Sequence, residues 1–241
     1  MRRAVLAMLL AGAISAHAGV MYRYVETSTN PVLPRQSGRV WIDGPRQRLD
    51  LDREPVNPAP FDVTITVGQK RTFIDLREKT YFEAKLAPVA AISSSASAAP
   101  FLLPRGLSEV KEQPVVNYQN AGSGAPIGKF ATTKHIIRVR YAIEANSQHA
   151  DVSAVITMLT ADALPRIESS DRFVRAGLPE VDEPLSKALS STKGMIVGYD
   201  VSVTRSGSSP ASERKTMTIT ELQTREIDPR LFVRPTGLTR R

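Results

Sequence analysis

Apolar and polar residues alternate with a period of two along much of this chain, and that pattern restricts the fold more than any other feature. In Phe61-Asp62-Val63-Thr64-Ile65-Thr66-Val67 every second residue is apolar, as expected of a strand with one buried face. Ile137, Val139, Tyr141 and Ile143 alternate with Arg138, Arg140, Ala142 and Glu144. Met195, Val197, Tyr199, Val201 and Val203 alternate with Ile196, Gly198, Asp200, Ser202 and Thr204. Residues 216–222 are rich in β-branched side chains. Turn chemistry separates such runs. Asp43-Gly44 lies between Arg39-Val40-Trp41-Ile42 and Gln47-Arg48-Leu49-Asp50-Leu51, and Asp-Gly accommodates the positive φ of a tight hairpin. Val67-Gly68-Gln69 and residues 206–210 act likewise. The pattern predicts a meander of antiparallel hairpins rather than βαβ units.

Helical signals are few. Residues 180–193 have acids in the first turn (Glu180, Asp182, Glu183), Leu185, Ala188 and Leu189 on one face, and Lys193-Gly194 at the end. That is the charge order a helix dipole favours, followed by a glycine stop. A weaker helical pattern covers residues 83–96. Residues 93–104 read equally as a helix, a lid or a loop of small residues, and residues 120–128 as a Gly/Pro-rich surface loop. The fold class expected is mainly β with few helices.

The chain has 241 residues, 41% of them hydrophobic, and no cysteine. A real core is affordable at this size, whereas disulfides, Cys-ligated zinc and iron–sulfur clusters are excluded. Residues 1–18 read as a signal peptide: Arg2 and Arg3, an apolar run from Ala4 to Ala13, and the small-x-small site Ala16-His17-Ala18. The run is shorter than the roughly 20 residues of a membrane span. The expected location is periplasmic or secreted, with residues 19–241 as one domain.

The order of these elements carries a resemblance. Tyr22-Arg23-Tyr24-Val25-Glu26 precedes Gly38-Arg39-Val40-Trp41-Ile42-Asp43-Gly44 and Arg46-Gln47-Arg48-Leu49-Asp50. Phe73-Ile74-Asp75-Leu76 and Lys79-Thr80-Tyr81-Phe82-Glu83 follow, then Gly128-Lys129-Phe130-Ala131-Thr132-Thr133-Lys134-His135, and finally Thr218-Ile219-Thr220-Glu221-Leu222 before Leu231-Phe232-Val233-Arg234-Pro235. Over most of residues 20–237 the chain resembles the half-barrel superfamily of the outer-membrane lipoprotein carriers of the Lol system. It looks most like their secreted relatives of unassigned function. The resemblance implies a strongly curved antiparallel sheet, a half-barrel, with helices across its concave side. It implies a cavity able to take acyl chains; it does not imply catalysis. It transfers no individual ligand contact.

Catalytic signatures are missing from the sequence. His135 and His149 lack a second His or a carboxylate at ligand spacing, and read as surface or strand-end histidines. No Gly-x-Ser-x-Gly elbow occurs. Gly122-Ser123-Gly124-Ala125-Pro126-Ile127-Gly128 echoes a phosphate loop but precedes a strand, so the helix dipole such a loop needs is absent. Asp50 and Asp52, flanked by Arg46, Arg48 and Arg53, read as a cross-strand salt-bridge ladder. Trp41, Tyr81, Phe82, Phe61 and Tyr141 are expected on an inner apolar face.

Two readings of function follow. In the first, an exported non-enzymatic module holds a hydrophobic ligand, such as a lipid or a lipoprotein's acyl chain, in a cavity lined by Phe61, Val63, Ile65, Val139 and Tyr141. In the second, a structural or interaction protein of the cell envelope meets anionic head groups or a partner protein through Arg39, Arg46 and Arg48. Neither requires a cofactor or metal, and membrane contact would be peripheral at most. Nucleic acid is not an expected partner, because no aromatic stacking module accompanies the basic residues. The oligomeric state is not fixed by the sequence.

Overall fold

The computed structural model describes residues 18–29, 35–52, 61–85, 109–145, 148–166, 178–207 and 210–241. Residues 93–104, Arg53 and the expected signal peptide (apart from Ala18) lie outside these.

Six strands form the first half: β1 (Gly19–Ser28), β2 (Gln36–Asp43), β3 (Arg46–Asp52), β4 (Val63–Val67), β5 (Lys70–Asp75) and β6 (Thr80–Lys85). They pair in sequence order as an antiparallel meander. Gly44, with φ 55°, turns the β2–β3 hairpin, a conformation glycine adopts without a Cβ clash. In the second half, β7 (Glu109–Val110) and β8 (Val115–Ser123) lie along one side of β9 (Thr133–Ala145). There follow β10 (Gln148–Ala161), α1 (Pro179–Ser190), β11 (Met195–Arg205) and β12 (Ala211–Arg225). A 3-10 turn (Pro229–Phe232) and the short β13 (Thr239–Arg240) end the chain.

The two halves become one curved, unclosed sheet because β1 pairs with β12, a partner distant in sequence. The join between the halves thus departs from sequence order, with β1 lying between β2 and β12.

Register assigns each side chain to a face. We call the face that carries α1 the inner one. Val181, Leu185 and Leu189, four residues apart on the helix, are buried against Ile137, Val139, Tyr141 and Ile143 of β9 and against Val152, Ala154, Ile156 and Met158 of β10. Burying each such helix side chain stabilises by about 1.5–3 kcal/mol. Tyr199, Val201 and Val203 extend this cluster on β11. A second cluster joins Val20, Val40, Ile42 and Ile219 to Ala161, Leu164, Met195, Val197 and Phe130. A third lies on the outer face of the first half, where Met21, Trp41, Val63, Ile65 and Ile74 pack beneath Ile227 and Phe232 of the C-terminal segment.

Several expectations need correction. Residues 83–85, the start of the weak helical pattern, belong to β6, because pairing with β5 continues to Lys85. Residues 86–96 are not described. The expected loop at residue 120 begins later, since β8 runs to Ser123. Val197 does not continue the alternation of β11. It is the extra residue of a bulge between Leu159↔Gly198 and Thr160↔Ile196, and a bulge reverses which face the following residues occupy. Trp41 and Tyr81 belong to the outer face, not the inner. Among the described residues one α-helix lies on the inner face. No helix there is long and apolar enough to cross a membrane.

Leu185 is nearly inaccessible beneath the helix. Leu185→Ala should cost about 2–5 kcal/mol through lost transfer energy and a residual cavity, read as a lowered urea midpoint with an unchanged slope.

Candidate functional site

Beyond α1 the inner face continues across the first half of the sheet with different chemistry. Phe73 and Phe82 face one another across β5 and β6, their rings stacked at 4.5 Å and 15°. Phe61 lies 5.1 Å from each. Tyr22 and Tyr24 meet edge-on at 6.4 Å on β1. Leu49 of β3 shares this side, opposite Val40. These six side chains are half-buried, unlike those under the helix. Aromatic rings in offset or edge-on contact present a large, stiff apolar surface. Burial holds the phenols of Tyr22 and Tyr24 well above the ordinary tyrosine range.

Between the helix-covered part and this aromatic part sits a polar group. Lys215 on β12 pairs with Glu26 on β1 at 2.9 Å, with both side chains largely buried. The Tyr199 hydroxyl donates to the other Glu26 oxygen. Burial, and then the Glu26 carboxylate, push the Tyr199 phenol far up. The register Ser28↔Lys215 and Glu26↔Met217 makes the two charges diagonal neighbours. The sequence reading missed them. The signal was present in the strand parity, because Glu26 shares the face of Tyr22 and Tyr24, and Lys215 that of Met217.

His135 lies near the start of β9, the strand-end position expected, but it is buried rather than at the surface. It faces inward on β9 in register with Met158. Its Nε2 is 2.9 Å from Thr160 Oγ1, which donates to Asp162 Oδ1 at 3.0 Å. Since Thr160 gives its one proton to Asp162, Nε2 carries the proton toward Thr160 and Nδ1 accepts from the Tyr118 hydroxyl at 3.0 Å. Thr133 Oγ1 donates to Asp162 Oδ2 at 2.9 Å. Burial lowers the His135 pKa from its ordinary 6.5, opposed by Asp162 and reinforced by Arg166. Every polar atom in this chain is used within it, as in a buried cross-strand tie.

The sequence-derived cavity residues separate into three places. Val139 and Tyr141 lie together beneath α1. Val63 and Ile65 lie on the outer face under Phe232. Phe61 precedes β4 and does not share its alternation. It turns to Phe73 and Phe82 on the inner face. Ile65 and Phe232 line a small outer cavity of about 250 Å³, with Lys70, Glu83 and Arg234 at its wall.

Arg39, Arg46 and Arg48 also lie on the outer face. Arg48 grips Asp50 through Nε at 2.6 Å and Nη2 at 3.0 Å, and donates to the Leu231 carbonyl at 3.1 Å. Arg46 pairs with Asp43 and lies 5.1 Å over the Phe232 ring. Arg39 and Arg48 each lie 5.7 Å from the Trp41 ring. Arg23 on β1 bridges to Asp52 at 3.3 Å, so Asp50 and Asp52 are both ion-paired as expected. Asp50, however, pairs within β3 rather than across strands, Arg46 turns to Asp43, and Arg53 lies outside the described residues.

No family model matches the chain, and no curated protein matches it. Among solved structures, a LolA superfamily protein from Nitrosomonas europaea aligns over 90% of this chain and 91% of its own, with 5% identity and a TM-score of 0.35.

Two measurements test the polar groups. Glu26→Gln or Lys215→Met alone should each cost about 3–5 kcal/mol, because each leaves a buried charge unpaired, while the double variant should recover much of that loss. Urea midpoints of the four proteins check it. For His135, a pKa lower in the fold than in the unfolded chain means the unfolded state binds the proton more readily. Stability is then full above pH 6.5 and falls as pH drops through 6.5 toward the depressed value. Acidification should therefore lower the urea midpoint more in the wild type than in His135→Gln.

Proposed function

We propose that the chain is an exported, non-enzymatic binding protein, and that it holds a hydrophobic ligand of the lipid or acyl-chain class on the inner face of its sheet. The single observation that carries the reading is the half-buried aromatic surface of Phe61, Phe73, Phe82, Tyr22 and Tyr24. It lies on the same side as the helix-covered core but outside it. A sheet face this apolar requires a cover, and a long acyl chain matches an elongated aromatic strip. Phe61 stays in the proposed ligand set. Val139 and Tyr141 serve the binding face by seating α1, whereas Val63 and Ile65 belong to the packing of the opposite face. The proposed unit is residues 19–241 as one domain behind a leader at 1–18, acting in the periplasm or outside the cell.

The envelope-interaction reading through Arg39, Arg46 and Arg48 draws less support, since Arg46 and Arg48 are already neutralised by Asp43 and Asp50. Paired surface arginines offer little net field to an anionic surface.

Native mass spectrometry of protein purified from the expressing cells should reveal a co-purifying lipid. Titration with a fluorescent acyl-chain probe should show saturable binding, weakened about tenfold or more by Phe73→Asp. Val63→Ala should leave affinity unchanged while lowering stability. A ligand-free wild type that does not take up the probe would remove the reading.

A further inference from the structure

The two ends of the sheet are finished differently. At one end β6 is capped by the chain's own β13, in parallel register Thr239↔Thr80, with Thr239 and Arg241 amides bonded to the Lys79 and Tyr81 carbonyls. At the other end β8 pairs with β9 alone, and no described strand lies on its far side. Proteins usually blunt such an edge with charge, proline or a bulge. The regular part of β8, Val-Val-Asn-Tyr-Gln-Asn from 115 to 120, has no charged residue, no proline and an unbroken register. Its inner side chains, Val116 and Tyr118, pack into the core beside α1, so the edge is held firmly. Its outer side chain Val115 is 52% exposed.

The flanking charge says what would fit. Arg138 and Arg140 project from the outer face of β9 directly opposite Asn117 and Val115. Both are exposed, and neither makes an ion pair among the described residues. On β10 they face Val155 and Ser153, which are uncharged. Arg23, Arg46, Arg48, Arg214, Arg230 and Arg241 by contrast each have a carboxylate partner. Arg138 already leans across β8, with Nη1 at 3.4 Å from Gln119 Oε1. A groove of about 410 Å³ opens beside Val115 and Arg140, lined also by Ser153, Thr204 and the carboxylates of Glu112 and Asp151, so the uncompensated charge along β8 is centred on Arg138.

We propose that β8 is a docking edge for an extended acidic polypeptide segment. The segment would add as a further strand, its backbone bonding to residues 115–120. Its carboxylates, at alternate positions, would face Arg138 and Arg140, and its intervening apolar side chains would lie beside Val116 and Tyr118. A second copy of this basic chain, at net charge +8, is disfavoured by like-charge repulsion. Strand addition supplies affinity through the main chain and specificity through alternate side chains. The inference is independent of ligand binding on the inner face.

The test uses the full chain and a soluble, dye-labelled peptide of alternating Glu and Val, followed by fluorescence anisotropy. Three comparisons decide it: a Lys/Val peptide, a Glu/Val peptide N-methylated at alternate amides in either register, and the exposed double variant Arg138→Glu/Arg140→Glu. The expected result is saturable binding of the Glu/Val peptide alone, lost by about tenfold or more with the variant and with N-methylation of one register. Equal binding of the N-methylated peptides would reduce the contact to charge adhesion and overturn strand addition. Equal binding of the Lys/Val peptide, or no binding at all, would overturn the acidic partner. Sedimentation showing a dimer that excludes the peptide would assign the edge to a second copy and overturn it as well.

Discussion

Pairing between β1 and β12 is the constraint on which the rest depends. Ten residue pairs, from Gly19↔Arg225 to Ser28↔Lys215, join segments almost the full chain apart. Without them the chain would form two smaller sheets. Closing so long a loop costs entropy that grows only slowly with its length, and the ladder plus the Val20, Val40, Ile219 cluster offsets it. The same pairing brings Glu26 to Lys215 and sets the aromatic strip on the side of α1. It thus fixes both the fold's continuity and the face proposed to bind.

Two single-residue insertions set how that face is used. Thr220 is extra between Arg23↔Glu221 and Tyr24↔Ile219, and Val197 is extra between Leu159↔Gly198 and Thr160↔Ile196. Each shifts side-chain parity within a strand, so that both Leu222 and Ile219 pack with the same cluster although an odd number of positions separates them. At one end of β11, Met195 and Val197 join a different cluster from Tyr199, Val201 and Val203.

Much of this was legible in the residues. The strands at β4, β9, β11 and β12, the Asp43-Gly44 turn and the helix near residue 180 follow from periodicity and cap chemistry, because those signals are local. What failed was long-range or depended on insertions. Val63 and Ile65 alternate as cleanly as Val139 and Tyr141, yet alternation cannot say which face is inner. Only pairing reveals that Ile227 and Phe232 cover the former and α1 the latter. Phe61 looked like the first residue of its strand, but the chain bends at Asp62, whose carboxylate accepts the Leu76 amide at 2.6 Å. His135 read as a surface residue because its partners, Tyr118 of β8 and Thr160 of β10, come from two other strands.

Charge follows the same division between local and distant. On the first half of the outer face, Arg46 with Asp43 and Arg48 with Asp50 lie two or three residues apart in sequence, so both pairs are local. A basic residue with a carboxylate beside it in sequence is committed to the protein's own surface. Arg138 and Arg140 have no such neighbour on their face. Their cross-strand positions, set by β8 and β10, hold Asn117, Val115, Val155 and Ser153. Among the described residues neither arginine makes an ion pair, although Glu112 and Asp151 line the groove beside Arg140, and both stand beside a strand edge that no described strand covers. Among the described residues, that coincidence of unpaired charge and unpaired backbone distinguishes this edge from β6, where β13 supplies the backbone partner and Arg241 reaches Asp75 at 3.5 Å.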